Sequence, residues 1–246
     1  MMNSNYLLID VGNGRSKVAL ATRDTIIQQR DTPTPGMTPE GLLALVSDWA
    51  FARVIASSVV PKATEALRLA FGQALTELDY RSPLGIGIRY PSPETIGADR
   101  LANAAALAHL HGAPGVVIDF GTAVTFDILD ADACYAGGVI APGLRLMTDY
   151  LHERTALLPK VTLAEPTSAI GKSTVGAILA GAAIGYRGMV RSILEALRSE
   201  LGDPSALKIV ATGGDAAWIA SGLPEIAVDE DLTLQGLRIL GNRVAG

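Results

Sequence analysis

An aspartate closes each of two short apolar segments, and in both a glycine stands two residues later. Leu7-Leu8-Ile9-Asp10-Val11-Gly12-Asn13 has its echo in Val116-Val117-Ile118-Asp119-Phe120-Gly121-Thr122, where the second acid lies 109 residues after the first. A carboxylate at the end of a buried strand, beside a turn of small residues, is suited to holding a hydrated Mg²⁺ close to phosphates. The glycines let backbone N–H groups approach phosphate oxygens as an anion nest. In the first loop Gly12, Asn13 and Gly14 make the turn, and Arg15 or Lys17 can add positive charge. Asn-Gly is also a strong signal for an ordinary hairpin, and the two readings are compatible. In the second loop Thr122 offers a hydroxyl in place of Asn13. Two such loops facing one another would clamp a polyphosphate.

A different chemistry is available at Gly97-Ala98-Asp99-Arg100. Phosphoryl transfer needs positioning, charge neutralisation and a group to take the acceptor's hydroxyl proton. Asp99 and Arg100 supply a base and a cation on adjacent positions at a helix entry. The plainer alternative is that Asp99 is a helix N-cap and Arg100 a surface residue. Gly137-Gly138-Val139-Ile140-Ala141-Pro142-Gly143 allows close backbone approach to a ligand or another strand. Several chemistries are excluded by pattern: there is no Walker loop and no dinucleotide fingerprint, and no protein-kinase catalytic loop precedes Asp119-Phe120-Gly121. His109, His111 and His152 have no metal-ligand spacing, and the single cysteine, Cys134, follows Asp130 and Asp132 in an expected turn.

The elements that must position these residues follow from hydrophobic periodicity and turn chemistry. Strands are predicted at Tyr6–Asp10, Ser16–Ala21, Val54–Ser57, Ile86–Tyr90, Val116–Asp119 and Lys208–Ala211, the first two as a hairpin. Helices are predicted at Thr38–Phe51, Pro61–Leu78, Asp99–Leu110, Leu144–His152, Thr174–Leu201 (interrupted by glycines) and Thr233–Val244. The third apolar strand runs into Thr212-Gly213-Gly214-Asp215. A motif recurring after about a hundred residues suggests two similar α/β halves facing one another.

With 20 basic and 25 acidic residues interspersed and a net charge of −5, the composition argues against an electrostatic nucleic-acid binder. The N-terminal residues lack the basic-then-apolar pattern of a secretory signal, and no window reaches the ~18 uncharged apolar residues of a membrane span. The expectation is a cytoplasmic protein without membrane or nucleic-acid partners.

Taken in order, the motifs at Asp10–Asn13, Gly97–Arg100, Asp119–Thr122 and Gly137–Gly143 resemble those of the type III pantothenate kinases, within the acetate kinase, sugar kinase, Hsp70 and actin superfamily. The resemblance covers nearly the whole chain. It implies an α/β fold of two similar ribonuclease H-like domains, duplicated as in the actin-like ATPases, with the active site in the cleft between them. The domains would be residues 1–110 and 111–246. It implies phosphorylation of pantothenate by ATP, the first step of coenzyme A biosynthesis, with Mg²⁺, a monovalent cation (K⁺ or NH₄⁺) and a homodimer.

Carried over by position, the resemblance makes Asp99 the general base and puts Asp10, Gly12, Asn13, Gly14, Lys17, Gly121 and Thr122 at the ATP phosphates. Gly213 and Gly214 would serve the adenosine side. Tyr90, Gly97, Ala98, Arg100 and Thr174 would contact pantothenate. Asp119 would bind the monovalent cation, and Asp10 would hold Mg²⁺ through water. Where many members read Asp-x-Gly-Asn-Thr, this chain has Gly14, which removes a contact worth about 1 kcal/mol. Two other readings stay open: a same-fold kinase for another small hydroxylated substrate, and a catalytically weak nucleotide-binding regulatory relative.

Overall fold

The structure is a computed structural model that describes residues 5–202 and 207–245. The described residues form two sheets, and the chain divides into two compact units. Unit 1 holds residues 1–113, 127–137 and 231–246; unit 2 holds 114–126 and 138–230.

Unit 1 is built on a five-stranded sheet ordered β3-β2-β1-β4-β5. Its strands are β1 (Tyr6–Val11), β2 (Arg15–Ala21), β3 (Ile26–Pro33), β4 (Arg53–Ser58) and β5 (Leu75–Glu77). β1, β2 and β3 form an antiparallel meander, while β4 runs parallel to β1 and β5 parallel to β4. Alternation of side chains assigns the two faces. Leu7, Ile9 and Val11 join Val18, Leu20, Val54 and Ala56 in a core with α1 (Pro39–Leu45) and α2 (Pro61–Phe71). Tyr6, Leu8 and Asp10 therefore share the opposite face, where α3 (Ala98–Leu110) and the C-terminal helix (Leu232–Ala245) pack together. The two helices come within backbone contact because Gly236 has no side chain: a Cβ there would lie 2.1 Å from the Ala102 carbonyl oxygen. A buried bond between the Thr233 hydroxyl and Asn103 Oδ1 (2.8 Å) fixes their register.

The remaining strands are β6 (Gly87–Ile88), β7 (Gly115–Phe120), β8 (Ala123–Leu129), β9 (Cys134–Pro142), β10 (Lys208–Thr212) and β11 (Ala227–Val228). They form a sheet ordered β11-β10-β7-β8-β9-β6. Residues 127–129 of β8 and 134–137 of β9 belong to unit 1. In unit 2, β10 and β11 run parallel to β7 and to each other. The helices of unit 2 are α4 (Leu144–Arg154), α5 (Thr174–Ala180), α6 (Tyr186–Leu201) and α7 (Ala216–Ala220); the C-terminal helix of unit 1 is α8.

Three elements are shorter than their sequence patterns predict. The helix expected at Thr38–Phe51 starts as expected, with Thr38 accepting the Gly41 N–H, but stops at Leu45. There the Ser47 hydroxyl bonds to the Ala44 carbonyl (2.9 Å), and Arg30 grips Asp48 through two bonds of 2.6–2.7 Å. Such local bonds compete with helix propagation, while Val46 and Trp49 stay buried in the turn. The helix expected at Pro61–Leu78 ends at Phe71 because Gly72 takes φ +50°, and the chain returns as β5. The strand expected at Ile86–Tyr90 pairs only over Gly87–Ile88.

The long helix at Thr174–Leu201 does run through its glycines: α5 and α6 are joined by a π-helical turn at Gly181–Gly185. By length and composition this is one stretch, among the described residues, long and apolar enough to cross a membrane. Its Tyr186, Val190 and Leu194 are buried in unit 2 at a four-residue spacing.

Candidate active site

Asp10 sits at the penultimate position of β1, half-buried, in register with Ser57 on one side and Lys17 on the other. Lys17 is in turn opposite Asp31. Residues in register point to the same face, so Asp31, Lys17, Asp10 and Ser57 make a polar row across four strands. The Ser57 hydroxyl donates to Asp10 Oδ1 at 2.5 Å. The loop beyond closes with Gly12 N–H donating to the Arg15 carbonyl (3.2 Å), leaving Asn13 and Gly14 exposed. Arg15 is drawn aside to Asp31 at 3.1 Å.

The start of α3 settles one alternative. Gly97 is the N-cap and Asp99 the second helical residue, so the acid does not cap the helix. Its carboxylate folds back over Gly97, where a Cβ would lie 2.6 Å from Asp99 Oδ1, and accepts the Arg100 backbone N–H at 2.8 Å. Burial raises the Asp99 carboxyl above the ordinary aspartate value, opposed by that bond and by the Arg100 charge. Arg100 is not a surface residue either. Its side chain is 14% exposed, and Nε donates to Asp127 Oδ1 at 2.6 Å.

Asp127, inside β8 and fully buried, is a residue the sequence reading missed. The same Oδ1 accepts the Tyr135 hydroxyl at 3.0 Å. Burial pushes the Asp127 carboxyl up to about 7, with the Arg100 charge and the Tyr135 bond pulling the other way. Tyr135 lies under the Arg100 guanidinium (5.8 Å) and meets Tyr90 edge to face at 6.1 Å. Unit 1 thus gathers Tyr90, Gly97, Ala98, Asp99 and Arg100 of the predicted acceptor residues, with Asp127 and Tyr135 beneath them. A signal for Asp127 was present: an aspartate interrupts the strand Val124-Thr125-Phe126-Asp127-Ile128-Leu129, where that residue type is disfavoured.

In unit 2 three loops converge. Asp119 is in register with Thr212, and the next residue, Gly213, takes φ +93° against the Asp119 loop. A Cβ at Gly213 would lie 2.5 Å from Asp119 Oδ1 and 2.6–2.7 Å from the Phe120 backbone. Gly143 N–H donates to the Thr122 carbonyl at 3.1 Å, and a Cβ there would lie 2.2 Å from that oxygen. Arg145, at the start of α4, donates to Asp215 at 3.0 Å. Beneath them the Tyr186 ring packs 6.4 Å from Phe120, its hydroxyl donating to the Pro142 carbonyl at 3.2 Å. Asp119, Gly121, Thr122 and Gly213 are therefore brought together through close glycine contacts, with Gly214 next in the chain. Thr174, the first residue of α5, lines a cavity of about 420 Å³ with Met147, Leu151, Leu158 and Ile178.

Among the described residues no three acids, histidines or cysteines cluster as a ready-made metal site. A carboxylate at a strand end still fits Mg²⁺, which binds through one or two carboxylates, its own waters and the substrate's phosphates.

The profile described as type III pantothenate kinase matches residues 6–196. The chain belongs to the type III pantothenate kinase family. A type III pantothenate kinase of Akkermansia muciniphila is 48% identical over 236 residues, covering 95% of this chain and 97% of that protein. One from Methylacidiphilum infernorum is 43% identical, covering 96% and 87%. Among solved structures, a conserved Baf family protein from Campylobacter jejuni superposes with a TM-score of 0.65 at 18% identity, covering 97% of this chain and 98% of that one. An inorganic polyphosphate/ATP-glucomannokinase from Arthrobacter gives 0.54 at 14% identity, covering 99% of each chain. These likenesses show the fold of this pantothenate kinase: mixed α/β with two sheets, as in sugar kinases and the actin-like ATPases. As a member of the family the chain is an ATP-dependent kinase, and the motifs from Asp10 to Gly143 all fall inside the matched residues.

Proposed function

We propose that this chain transfers the γ-phosphoryl group of ATP to the hydroxyl of pantothenate, with Asp99 as general base. The observation that carries the reading is the family match across residues 6–196, joined to the half-buried Asp99 and Arg100 at the start of α3. The hydroxyl oxygen attacks the γ-phosphorus, its proton passes to the Asp99 carboxylate, and ADP leaves. Burial that raises the Asp99 carboxyl makes it a stronger base than an exposed aspartate, while the Arg100 charge keeps it ionised for the task. Gly97, Ala98, Arg100 and Tyr90 line the acceptor side in this reading. The backbone of Gly12, Asn13, Gly14, Gly121 and Thr122, with Lys17, holds the phosphates; Gly213 and Gly214 serve the adenosine.

When bound, Mg²⁺ and a monovalent cation supply charge neutralisation at the phosphates; Asp10 would hold the first through water and Asp119 the second. A homodimer accords with the surface of unit 2. Leu146, Met147, Tyr150 and Leu151 of α4, with Val175 and Ile184 of the helix beside it, are all exposed. The cavity holding Thr174 opens between these helices, so burial against a second copy would bring that threonine to the interface.

The test is ADP release from ATP with Mg²⁺ and K⁺, with and without pantothenate. The expected result is release that requires pantothenate and falls when Na⁺ replaces K⁺. Asp99→Asn should lower kcat by about 10²–10⁴-fold with ATP binding retained, and unchanged turnover in that variant would remove Asp99 from the base role. Since the base acts ionised, the acid limb of kcat/KM should lie above the pH at which an exposed aspartate titrates.

A further inference from the structure

The carboxylate of Asp127 has no role in the transfer as just described, yet it is the most completely buried acid of unit 1's acceptor-side cluster. Its relative exposure is zero, and one oxygen, Oδ1, takes both the Arg100 Nε–H at 2.6 Å and the Tyr135 hydroxyl at 3.0 Å. Two donors on one oxygen fix the carboxylate plane, and the short charge-assisted bond fixes the guanidinium edge that faces it. A buried ion pair of this kind adds little net stability over apolar residues of similar size, because desolvation offsets the attraction. A free arginine side chain samples many rotamers, a freedom that such a bond removes in advance of binding.

We propose that Asp127 and Tyr135 are positioning residues for the acceptor half of the site, holding Arg100 in a single orientation beside Asp99. Contacts within one unit link these residues. Tyr135 supports Arg100 from below, its ring 5.8 Å from the guanidinium carbon. Tyr90 abuts Tyr135 at 6.1 Å, so the residue expected to line the acceptor rests on the same support. Gly137, at φ +135°, runs alongside the Tyr90 ring. The charged and titratable groups acting on Asp127 are Arg100 and Asp99 from α3 and Tyr135 from β9. Asp127 therefore also sets how much of the Arg100 charge is felt by Asp99.

The inference rests on the pantothenate kinase reading, and kinetics separates the two. Wild type, Asp127→Asn and Tyr135→Phe are compared for kcat, for KM of pantothenate and of ATP, and for thermal midpoint. Asp127→Asn should raise the pantothenate KM by about tenfold or more, the scale of losing a charged hydrogen bond, with the ATP KM within about twofold. Tyr135→Phe keeps the ring and the Arg100–Asp127 bond, and should raise the pantothenate KM by about threefold; it decides the matter if Asp127→Asn does not fold. A folded variant pair with unchanged pantothenate KM, or with both KM values moved equally, overturns the inference while leaving the reaction intact. A wild type without pantothenate-dependent ADP release overturns the reading itself and the inference with it.

Discussion

Strands β1 and β7 bury their six residues in the same order, with only the fifth, Asp10 or Asp119, half-buried. Strands β2 and β8 also match position by position: the first residue is exposed, the third half-buried and the rest buried. Within that common frame the charges differ. The third residue is Lys17 in β2 and Thr125 in β8; the fifth is Ala19 in β2 and Asp127 in β8. The first hairpin therefore keeps its cation in a half-buried polar row beside Asp10. The second has moved a carboxylate into the interior, where it meets Arg100 and Tyr135. The loops differ too. Gly14 stands in open space, whereas the Asp119–Thr122 loop is closed in by Gly143 and Gly213. A duplicated scaffold has been specialised by which of its equivalent positions carry charge and which are left without side chains.

Four substitutions follow, the first three pressing on that comparison. Ala19→Asp would give β2 the acid of β8 at the matching buried position, without the arrangement built around Asp127. An uncompensated buried charge costs about 3–5 kcal/mol, so the variant should unfold at far lower denaturant than wild type; near-normal stability would show that the two hairpins are interchangeable. Next in size, Gly213→Ala must place a side chain at φ +93° and against Asp119 Oδ1, at a cost of about 1–3 kcal/mol for the backbone alone. Its nucleotide affinity should fall with it. Gly14→Thr, by contrast, has nothing within 4 Å of the new Cβ and should leave the thermal midpoint unchanged while strengthening ATP binding by up to about 1 kcal/mol. Equal penalties at the two glycines would contradict the open-versus-closed distinction. A stabilising change is expected at Tyr6, whose buried hydroxyl has no hydrogen-bond partner. Tyr6→Phe should raise stability by about 1 kcal/mol, read as a higher thermal midpoint.

The hairpin motif, its repeat and the order of the four family motifs were legible in the chain because strand ends, glycines and acids lie next to one another in sequence. Asp99 and Arg100 were legible as a pair, but their burial was not. That depends on Asp127, 27 residues on, and on the packing of α3 against α8. Tyr135, Tyr186 and the Arg145–Asp215 pair were invisible for the same reason: each acts through a partner distant in sequence. The overlong helices at Thr38–Phe51 and Pro61–Leu78 show the opposite limit. There the apolar spacing continued past the point where Ser47, Asp48 and Gly72 turned the backbone aside.

The π-helical turn at Gly181–Gly185 acts as a one-residue insertion, and it sets the phase of everything after it. A regular α-helix advances about 100° per residue. Deleting one residue from that turn would rotate α6 by roughly that angle relative to α5. Tyr186 would then swing away from the Pro142 carbonyl and the Phe120 ring on which the Asp119–Thr122 loop now rests. The wide turn is thus an angular adjustment: one continuous rod shows one side to the groove around Thr174 and a separately aimed side to the floor of the loop.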